Sequence, residues 1–372
     1  MSVVISGAGV WAPPHVITNA ELVGAFNAYA DEHDAAYAAE IAAGKMEPMK
    51  RSDSAFIEKA SGIQNRYVYA KDGILDVDRM APRVEHRPES ALSHQAEFGV
   101  RSARIALEAA GKTPDDIDLV IVGCTNTERV YPAIAIEIQS ELGIEGSGFD
   151  MLVACSAATF ALQRAADAIA AGSARAALVI TPEMMSPQIN YRDRDSHFIF
   201  GDVSTTVVLE SDDTARPGHG FEVLGTKSAT VYSSNIRSNF GHLNRAEGGD
   251  PYRADRLFHQ AGRKVFKEVC PMTIEHLRAH LGDLGLDPAG VRRWWLHQAN
   301  INMNQLIVRK LVGAEPSRDQ APLVLDEFAN TAAAGSVIAF SRYHEDFQPG
   351  EIGVLCSFGA GYSIGSLILK KR

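Results

Sequence analysis

The sequence predicts a layered α/β fold with mostly buried sheets. Three observations carry that expectation. Short apolar runs at residues 118–124, 176–181 and 352–358 alternate with helical patterns in both halves of the chain, as strands do when helices cover their faces. A reactive side chain stands where a strand gives way to a helix in each half, Cys155 in the first and His297 in the second. Such strand ends are where α/β sheets bind ligands. The chain has 372 residues, 46% of them hydrophobic, enough for one large or two medium domains. The matching placement of Cys155 and His297 suggests a duplicated unit, although no sequence repeat marks it.

Residues 3–11 read as a strand that turns at Pro13-Pro14. Gly7-Ala8-Gly9 does not make a nucleotide loop, because no third glycine opens a helix. Thr18 and Glu21 fit a capping box for a helix from Asn19. The Ala-rich, acidic residues 24–47 continue as helix up to Gly44 or Pro48. Residues 56–61 form a short helix that turns at Gly62 into a strand at 66–69, and the charged residues 71–90 form a surface loop. Residues 93–110 make an amphipathic helix stopped by Gly111, 118–124 a buried strand, and 132–142 a helix. A buried strand at 149–153 runs into a helix from Ser156. Residues 176–181 are a further buried strand, and 198–209 lead into another. The linker candidate is 212–218, with its Asp, Pro and Gly. Beyond it come a strand at 221–227, a polar glycine-rich stretch at 233–255, and one or two helices over 259–280 interrupted near Pro271. A strand ends in Trp294-Trp295-Leu296-His297, and a helix covers 301–312. A short apolar piece follows at 323–325, then a small-residue turn and helix at 330–340. The strand at 352–358 leads through Gly359-Ala360-Gly361 to a last apolar stretch at 362–369.

Composition excludes several function classes. No run of about 18 apolar residues occurs, so no membrane span is expected. The start, from Met1 to Ser6, lacks the positive region and cleavage site of a signal peptide. Cys124, Cys155, Cys270 and Cys356 are far apart with no Cys-x-x-Cys, which is neither a zinc pattern nor a disulfide framework. The expectation is a cytoplasmic enzyme with no metal. The net charge of −10 argues against general nucleic-acid binding.

The chemistry centres on Cys155, at the junction of strand and helix. The N–H groups and positive end of that helix favour the thiolate and lower the thiol pKa. The same N–H groups can hold a developing oxyanion. A lone cysteine is more often a small core hydrophobe, and a lone Asn-Thr is usually a cap or a turn. Here Ser156, Ala157 and Ala158 leave the thiol uncovered. His297-Gln298-Ala299-Asn300, Asn330-Thr331 and Phe358-Gly359-Ala360-Gly361 then follow in order. Together these pieces make a nucleophilic cysteine the expectation.

On these residues, and on Ser61-Gly62-Ile63, Phe200-Gly201-Asp202 and Val265-Phe266-Lys267, the chain resembles the 3-oxoacyl-acyl-carrier-protein synthase III family of the thiolase superfamily. The likeness covers nearly the whole chain. It implies a five-layered αβαβα fold of two similar halves, here residues 1–212 with the nucleophile and 213–372 with the histidine and asparagine. It also implies a homodimer. By the resemblance, Cys155 takes an acyl group from an acyl-CoA, and the N–H groups of Cys155 and Ala360 hold the oxyanion. Malonyl-acyl-carrier protein then loses CO2, and His297 and Asn330 stabilise the enolate that attacks the acyl-cysteine. Acyl-CoA and malonyl-carrier protein are substrates, and no cofactor is implied. Elongating synthases use a second histidine and thiolases a second catalytic cysteine. Cys356 stands one position too far from the glycines for that role and reads as core strand.

Several positions bear on substrate. Phe56 falls where the family has an adenine-stacking tryptophan, while Ala60 and Asn302 replace arginines that contact the nucleotide and the carrier protein. Val203-Ser204-Thr205-Thr206 replaces the family's usual glycines. The resemblance places Gly262, Arg263, Phe266, Ala299 and Phe358 at the CoA and substrate site. It places Tyr131 where a family aromatic crosses the dimer interface to close the acyl pocket. Lys267, Arg309 and Lys310 match a carrier-docking surface, although charge clusters on an acidic protein are more often solvated faces. Extra length at 24–51 and 71–90, with the small residues Ala157, Ala158, Ala332, Ala333 and Ala334, resembles the branch that takes medium-chain acyl-CoA such as octanoyl-CoA. The alternatives are an acetyl-CoA-using initiation synthase, an acyltransferase, and a non-decarboxylating condensing enzyme with Glu128 or Glu137 as added base. A non-catalytic partner subunit is a further alternative, against which the intact Cys155, His297 and Asn330 stand.

Overall fold

A computed structural model describes residues 2–250 and 253–372. The chain opens with β1 (Val3–Trp11) and β2 (His15–Thr18), then α1 (Asn19–Ala36), α2 (Ala38–Ala42), α3 (Ser54–Ser61) and β3 (Asn65–Val68). There follow α4 (His94–Ala110), β4 (Leu119–Cys124), α5 (Ile134–Leu142), β5 (Ser147–Leu152), α6 (Ala157–Ala170), β6 (Ala176–Glu183) and β7 (Val203–Ser211). The second half holds β8 (Phe221–Ser233), β9 (Ile236–Arg237), α7 (Asn244–Glu247), β10 (His259–Gln260), α8 (Gly262–Asp283) and β11 (Val291–Leu296). It ends with α9 (Ile301–Val312), α10 (Leu325–Phe328), α11 (Gly335–Arg342), β12 (Ile352–Gly359) and β13 (Gly361–Lys371).

Local chemistry sets many of these boundaries. The expected capping box starts α1: the Glu21 N–H donates to Thr18 Oγ1 at 3.2 Å, and the Thr18 N–H donates to Glu21 Oε2 at 2.8 Å. Asp53 and Ser93 cap α3 and α4 with their side chains. Gly62 and Gly111 end the same two helices in the left-handed conformation, which only glycine adopts freely.

Nine strands form one mixed sheet in the order β11-β12-β13-β8-β1-β7-β6-β4-β5. It has two arms with one plan. In the first, β1, β7 and β6 are antiparallel neighbours and β4 then pairs parallel to β6. In the second, β8, β13 and β12 are antiparallel and β11 pairs parallel to β12. The pairs Val4↔Glu222 and Ile5↔Phe221 join the arms. Between them lies a shared core in which α6 residues Ala158, Ala161 and Leu162 meet Val337 and Phe340 of α11. Helices α4 and α5 cover the outer face of one arm, and α8 and α9 cover that of the other. The result is the five-layered αβαβα arrangement. Among the described residues no helix is long and apolar enough to cross a membrane.

Three expectations change. The strand before Cys155 is not buried: β5 is the sheet's edge, with Phe149 41% and Leu152 57% exposed. The helix expected to break at Pro271 runs unbroken as α8, because Pro271 lies on its exposed side while Val269, Cys270, Thr273 and Leu277 stay buried. The polar stretch 233–255 holds β9 and α7, and residues 251–252 of it lie outside the described residues.

Candidate active site

Cys155 stands beyond the end of β5 in a 3-10 turn, Ala154–Ser156, that leads into α6. The turn holds Ala154 at φ +45°, a left-handed conformation that costs a residue with a Cβ ~1–2 kcal/mol. Ser156 anchors the turn from behind, its Oγ donating to the Ser363 carbonyl at 2.9 Å. Gly359, at the end of β12, packs directly on the nucleophile. A Cβ there would lie 2.5 Å from Cys155 Cβ and 3.1 Å from its Sγ, so the position has room for glycine alone.

His297 follows β11 and is fixed by its parallel neighbour β12, its N–H donating to the Cys356 carbonyl at 2.8 Å. The ring stands edge-on to Phe358, with centroids 5.4 Å apart. Burial pushes its pKa down to about 4, so the imidazole is neutral at pH 7 and offers one donor and one acceptor. Asn330 is clamped by its backbone: its N–H donates to the Ile199 carbonyl at 3.0 Å, and its carbonyl accepts from Gly201 at 3.1 Å. Its Oδ1 accepts from the Ala332 N–H at 2.9 Å, which leaves the Nδ2 donor for the cavity. Ala329 and Ala332, on either side, have φ values of +58° and +49°. Left-handed alanines thus flank both the thiol and the amide, a placement of strain typical of functional sites.

Cys155, His297 and Asn330 line one cavity of about 430 Å³. Its walls are largely apolar, with Ile63, Phe198, Phe200, Val265 and Met303, and the exposed Asp195 and Arg263 stand at its rim. The expected lowering of the thiol pKa is reversed. Burial and the nearby Glu183 carboxylate push Cys155 up to about 12, against the N–H groups of Ala360 and Cys155 that face the sulfur. The local helix end is outweighed by desolvation, and the resting form is the thiol. Glu183 was not legible from the sequence as part of the site. It is fully buried at the end of β6, where its Oε1 accepts from the Thr125 N–H and hydroxyl at 3.0 Å and from the Ala333 N–H at 3.2 Å.

A family model described as 3-oxoacyl-[acyl-carrier-protein] synthase III matches residues 149–228, and the model of its C-terminal part matches residues 281–371. Over 347 residues the chain is 51% identical to a beta-ketodecanoyl-[acyl-carrier-protein] synthase of Pseudomonas aeruginosa, covering 93% of this chain and 99% of that protein. The chain belongs to the 3-oxoacyl-[acyl-carrier-protein] synthase III family. It is also 32% identical to the beta-ketoacyl-[acyl-carrier-protein] synthase III of Brucella anthropi, over 73% of this chain and 83% of that one. The crystal structure of 3-oxoacyl-(acyl carrier protein) synthase III from Pseudomonas aeruginosa PAO1 superposes with a TM-score of 0.77 at 20% identity, covering 100% of this chain and 98% of that one. The fold is therefore thiolase-like throughout, and the chain is a condensing acyltransferase of this family.

In this synthase, Phe56, Gly262, Arg263, Phe266, Ala299 and Phe358 line the cavity beside Cys155. Tyr131 does not. Its ring is 83% exposed and lines a separate concavity with His86, Arg129 and Phe240. Ala157, Ala158, Ala332, Ala333 and Ala334 are fully buried and form no part of the cavity's lining. They let elements pack closely instead: a Cβ on Gly123 of β4 would already meet the Ala157 carbonyl at 2.7 Å. Glu128 and Glu137 are engaged elsewhere, Glu128 with His94 at 2.8 Å and Glu137 with the Ser93 hydroxyl at 2.8 Å. Lys267 and Lys310 line a groove with Cys270, Ile274 and Leu306, and Phe266 borders both that groove and the cavity. Arg309 turns to Glu315 at 3.3 Å. Arg194 was also missed: its guanidinium lies over the Phe56 ring, 3.9 Å from the centroid. No local pattern marks it, because the pairing joins α3 to a turn far along the chain.

Proposed function

We propose that this synthase condenses a medium-chain acyl-CoA, such as octanoyl-CoA, with malonyl-acyl-carrier protein to give a 3-oxoacyl-carrier protein, CoA and CO2. The observation that carries the reading is the convergence of Cys155, His297 and Asn330 on one apolar-walled cavity, with two backbone N–H groups facing the sulfur. Cys155 Sγ attacks the thioester carbonyl, the oxyanion forms against the Cys155 and Ala360 N–H groups, and the bond to CoA breaks. The neutral His297 accepts the thiol proton and passes it to the departing CoA sulfur. Malonyl-carrier protein enters next. Its thioester oxygen takes hydrogen bonds from Asn330 Nδ2 and His297, the bond to the carboxylate breaks, and CO2 leaves an enolate. An amide donates without giving up its proton, so it holds the enolate rather than quenching it. The enolate carbon attacks the acyl-cysteine, and collapse expels the Cys155 thiolate, which takes a proton from water.

The name of the 51% identical relative supports a ten-carbon product and hence a medium-chain primer. The engagement of Glu128 and Glu137 away from the cavity speaks against an added carboxylate base. The protein acts in this reading as a cytoplasmic homodimer of chains with halves 1–212 and 213–372. Its carrier protein docks on Lys267 and Lys310 with Arg309 beside them. Three cations in the first turns of α8, Arg263, Lys264 and Lys267, are exposed and pair with no carboxylate among the described residues, which suits an acidic partner.

Intact-mass measurement after incubation with acetyl-, butyryl-, octanoyl- and lauroyl-CoA tests the reading. An octanoyl adduct that is absent from Cys155→Ala and discharged by malonyl-carrier protein is the expected result. A dominant acetyl adduct would overturn the medium-chain assignment. No adduct from any CoA, in folded protein, would overturn acyl-CoA as the donor.

A further inference from the structure

The two donors that face the cavity depend on one short turn, and that turn is held by a side chain from a distant strand. Asn330 leads into the 3-10 turn Ala332–Ala334, whose first residue is left-handed at φ +49°. A residue with a Cβ keeps such a conformation only where its surroundings impose it. The Ala332 N–H donates to Asn330 Oδ1 at 2.9 Å and so aims the amide. The Ala334 N–H donates locally, to the Thr331 carbonyl at 3.0 Å. The Ala333 N–H instead points out of the turn and donates to Glu183 Oε1 at 3.2 Å. The carbonyl of that same peptide unit belongs to Ala332 and faces the His297 ring. A carbonyl beside an imidazole sets which nitrogen carries the proton. Ala332 thus touches both donors, Asn330 through its N–H and His297 through its carbonyl, and Glu183 holds the peptide that follows it.

Glu183 is built as the fixed end of this contact. Strands β4 and β6 run parallel, with Val122 opposite Ile180, and three residues further on Thr125 and Glu183 stand side by side. Glu183 is also paired with Val203 of β7. Its Oε1 takes the Thr125 N–H and hydroxyl, both at 3.0 Å, in addition to the Ala333 N–H. The side chain is fully buried. Burial pushes its pKa up to about 8, so the neutral acid predominates at pH 7, and the accepting oxygen works without a charge. Cys155 has anchors of its own, the Ser156 hydrogen bond to the Ser363 carbonyl and the packing of Gly359.

We propose that Glu183 is a positioning residue for the condensation step, holding the peptide between Ala332 and Ala333 so that Asn330 and His297 both point at the thioester oxygen of the malonyl group. This rests on the reading of the reaction as two steps at one cavity, acylation of Cys155 and then decarboxylative condensation. In the first step the oxyanion sits against the Cys155 and Ala360 N–H groups, and of the two donors only His297 takes part. In the second step the enolate is held by Asn330 and His297 together. A turn that shifts therefore weakens both hydrogen bonds at once, and the second step depends on Glu183 more than the first.

The two steps are measured separately. Adduct formation from octanoyl-CoA is followed by intact mass. Malonyl-carrier protein is then added to the preloaded enzyme, and CO2 release is followed in a single turnover. Glu183→Ala is expected to slow the second step about 100-fold, the scale of an ångström's misplacement, and the first by less than about tenfold. Glu183→Gln, which keeps an acceptor for the Ala333 N–H and matches the neutral acid in charge, is expected to recover most of the second step. Equal slowing of both steps, an unchanged second step in Glu183→Ala, or a glutamine variant as slow as the alanine one would each overturn the proposal. If circular dichroism shows Glu183→Ala unfolded, Thr125→Val carries the same comparison, since it removes one hydrogen bond that fixes Glu183 Oε1. It should slow the second step several-fold and leave the first unchanged, and equal effects on the two steps, or none, would overturn the proposal. Wild-type protein that forms no adduct, or an adduct that releases no CO2 from malonyl-carrier protein, defeats the two-step reading itself, and the role of Glu183 with it.

Discussion

Gly359 shows how little freedom the nucleophile has. Its missing side chain is filled by Cys155 itself, since a Cβ would stand 2.5 Å from Cys155 Cβ. The neighbour is a left-handed turn anchored by Ser156 and cannot step aside without carrying the sulfur away from the Ala360 N–H. Gly359→Ala should therefore cut the rate of acyl-adduct formation about 100-fold, the scale of an ångström's misplacement, while thermal unfolding stays cooperative. An unchanged rate of adduct formation by intact mass would show that the contact is not limiting. The sequence reading named Cys155, His297 and Asn330 from residue type and order, and the structure brings the three to one cavity; Ala360 came from the family resemblance. The reading reversed the sign of the Cys155 pKa, because a helix end is visible locally and burial beside Glu183 is not. Arg194 and Glu183 were out of reach for the same reason: each becomes a site residue through partners distant in the chain.

At the scale of elements, caps were legible and burial only in part: the strands at 118–124 and 176–181 are buried as read, and β5 is not. Thr18, Glu21, Gly62 and Gly111 mark their helix ends in the sequence and do so in the structure. An apolar run does not say whether its strand is central or at an edge, which is why β5 was read as buried. Helix α8 survives Pro271 because its inner face is anchored on both sides of it, and that anchoring has a pH dependence. His276 and His280, one turn apart, both contact Ser366 Oγ of β13, at 2.9 and 2.7 Å. Burial, with the Lys227 charge nearby, holds each ring down to about 4 from the usual 6.5; His276 adds to the push on His280, which Asp283 partly offsets. A lowered histidine pKa means that the unfolded chain binds more protons in this interval. The stability is complete above about 6.5 and is lost as pH falls toward about 4. His197 and His297 are held down in the same way and add to the loss. Calorimetric unfolding should show Tm dropping steeply below pH 6.5, with a shallower drop in His276→Asn combined with His280→Asn. Equal slopes for the two proteins would mean that the joint between α8 and β13 is not the acid-sensitive element.

The whole molecule leaves one side of its sheet unfinished. Eight strands and two covering layers protect the interior, but β5 ends the series with no strand of the described chain beyond it. Edge strands are normally blunted by charge, brevity or cover. This one instead exposes Phe149 and Leu152, with Val130 72% and Tyr131 83% exposed in the loop before α5. A two-fold axis beside β5 would pair it with its own copy, continue the sheet across both chains, and bury these side chains in a self-complementary interface. It would also turn Tyr131 toward the partner, which accounts for its absence from the cavity of its own chain. Sedimentation equilibrium should accordingly give twice the 40.2 kDa of one chain. Phe149→Lys combined with Leu152→Lys places like charges opposite one another across that axis and should yield a folded monomer. A wild-type protein that sediments as a monomer at micromolar concentration, or a double variant that remains a dimer, would place the interface elsewhere and leave the exposed edge without a partner.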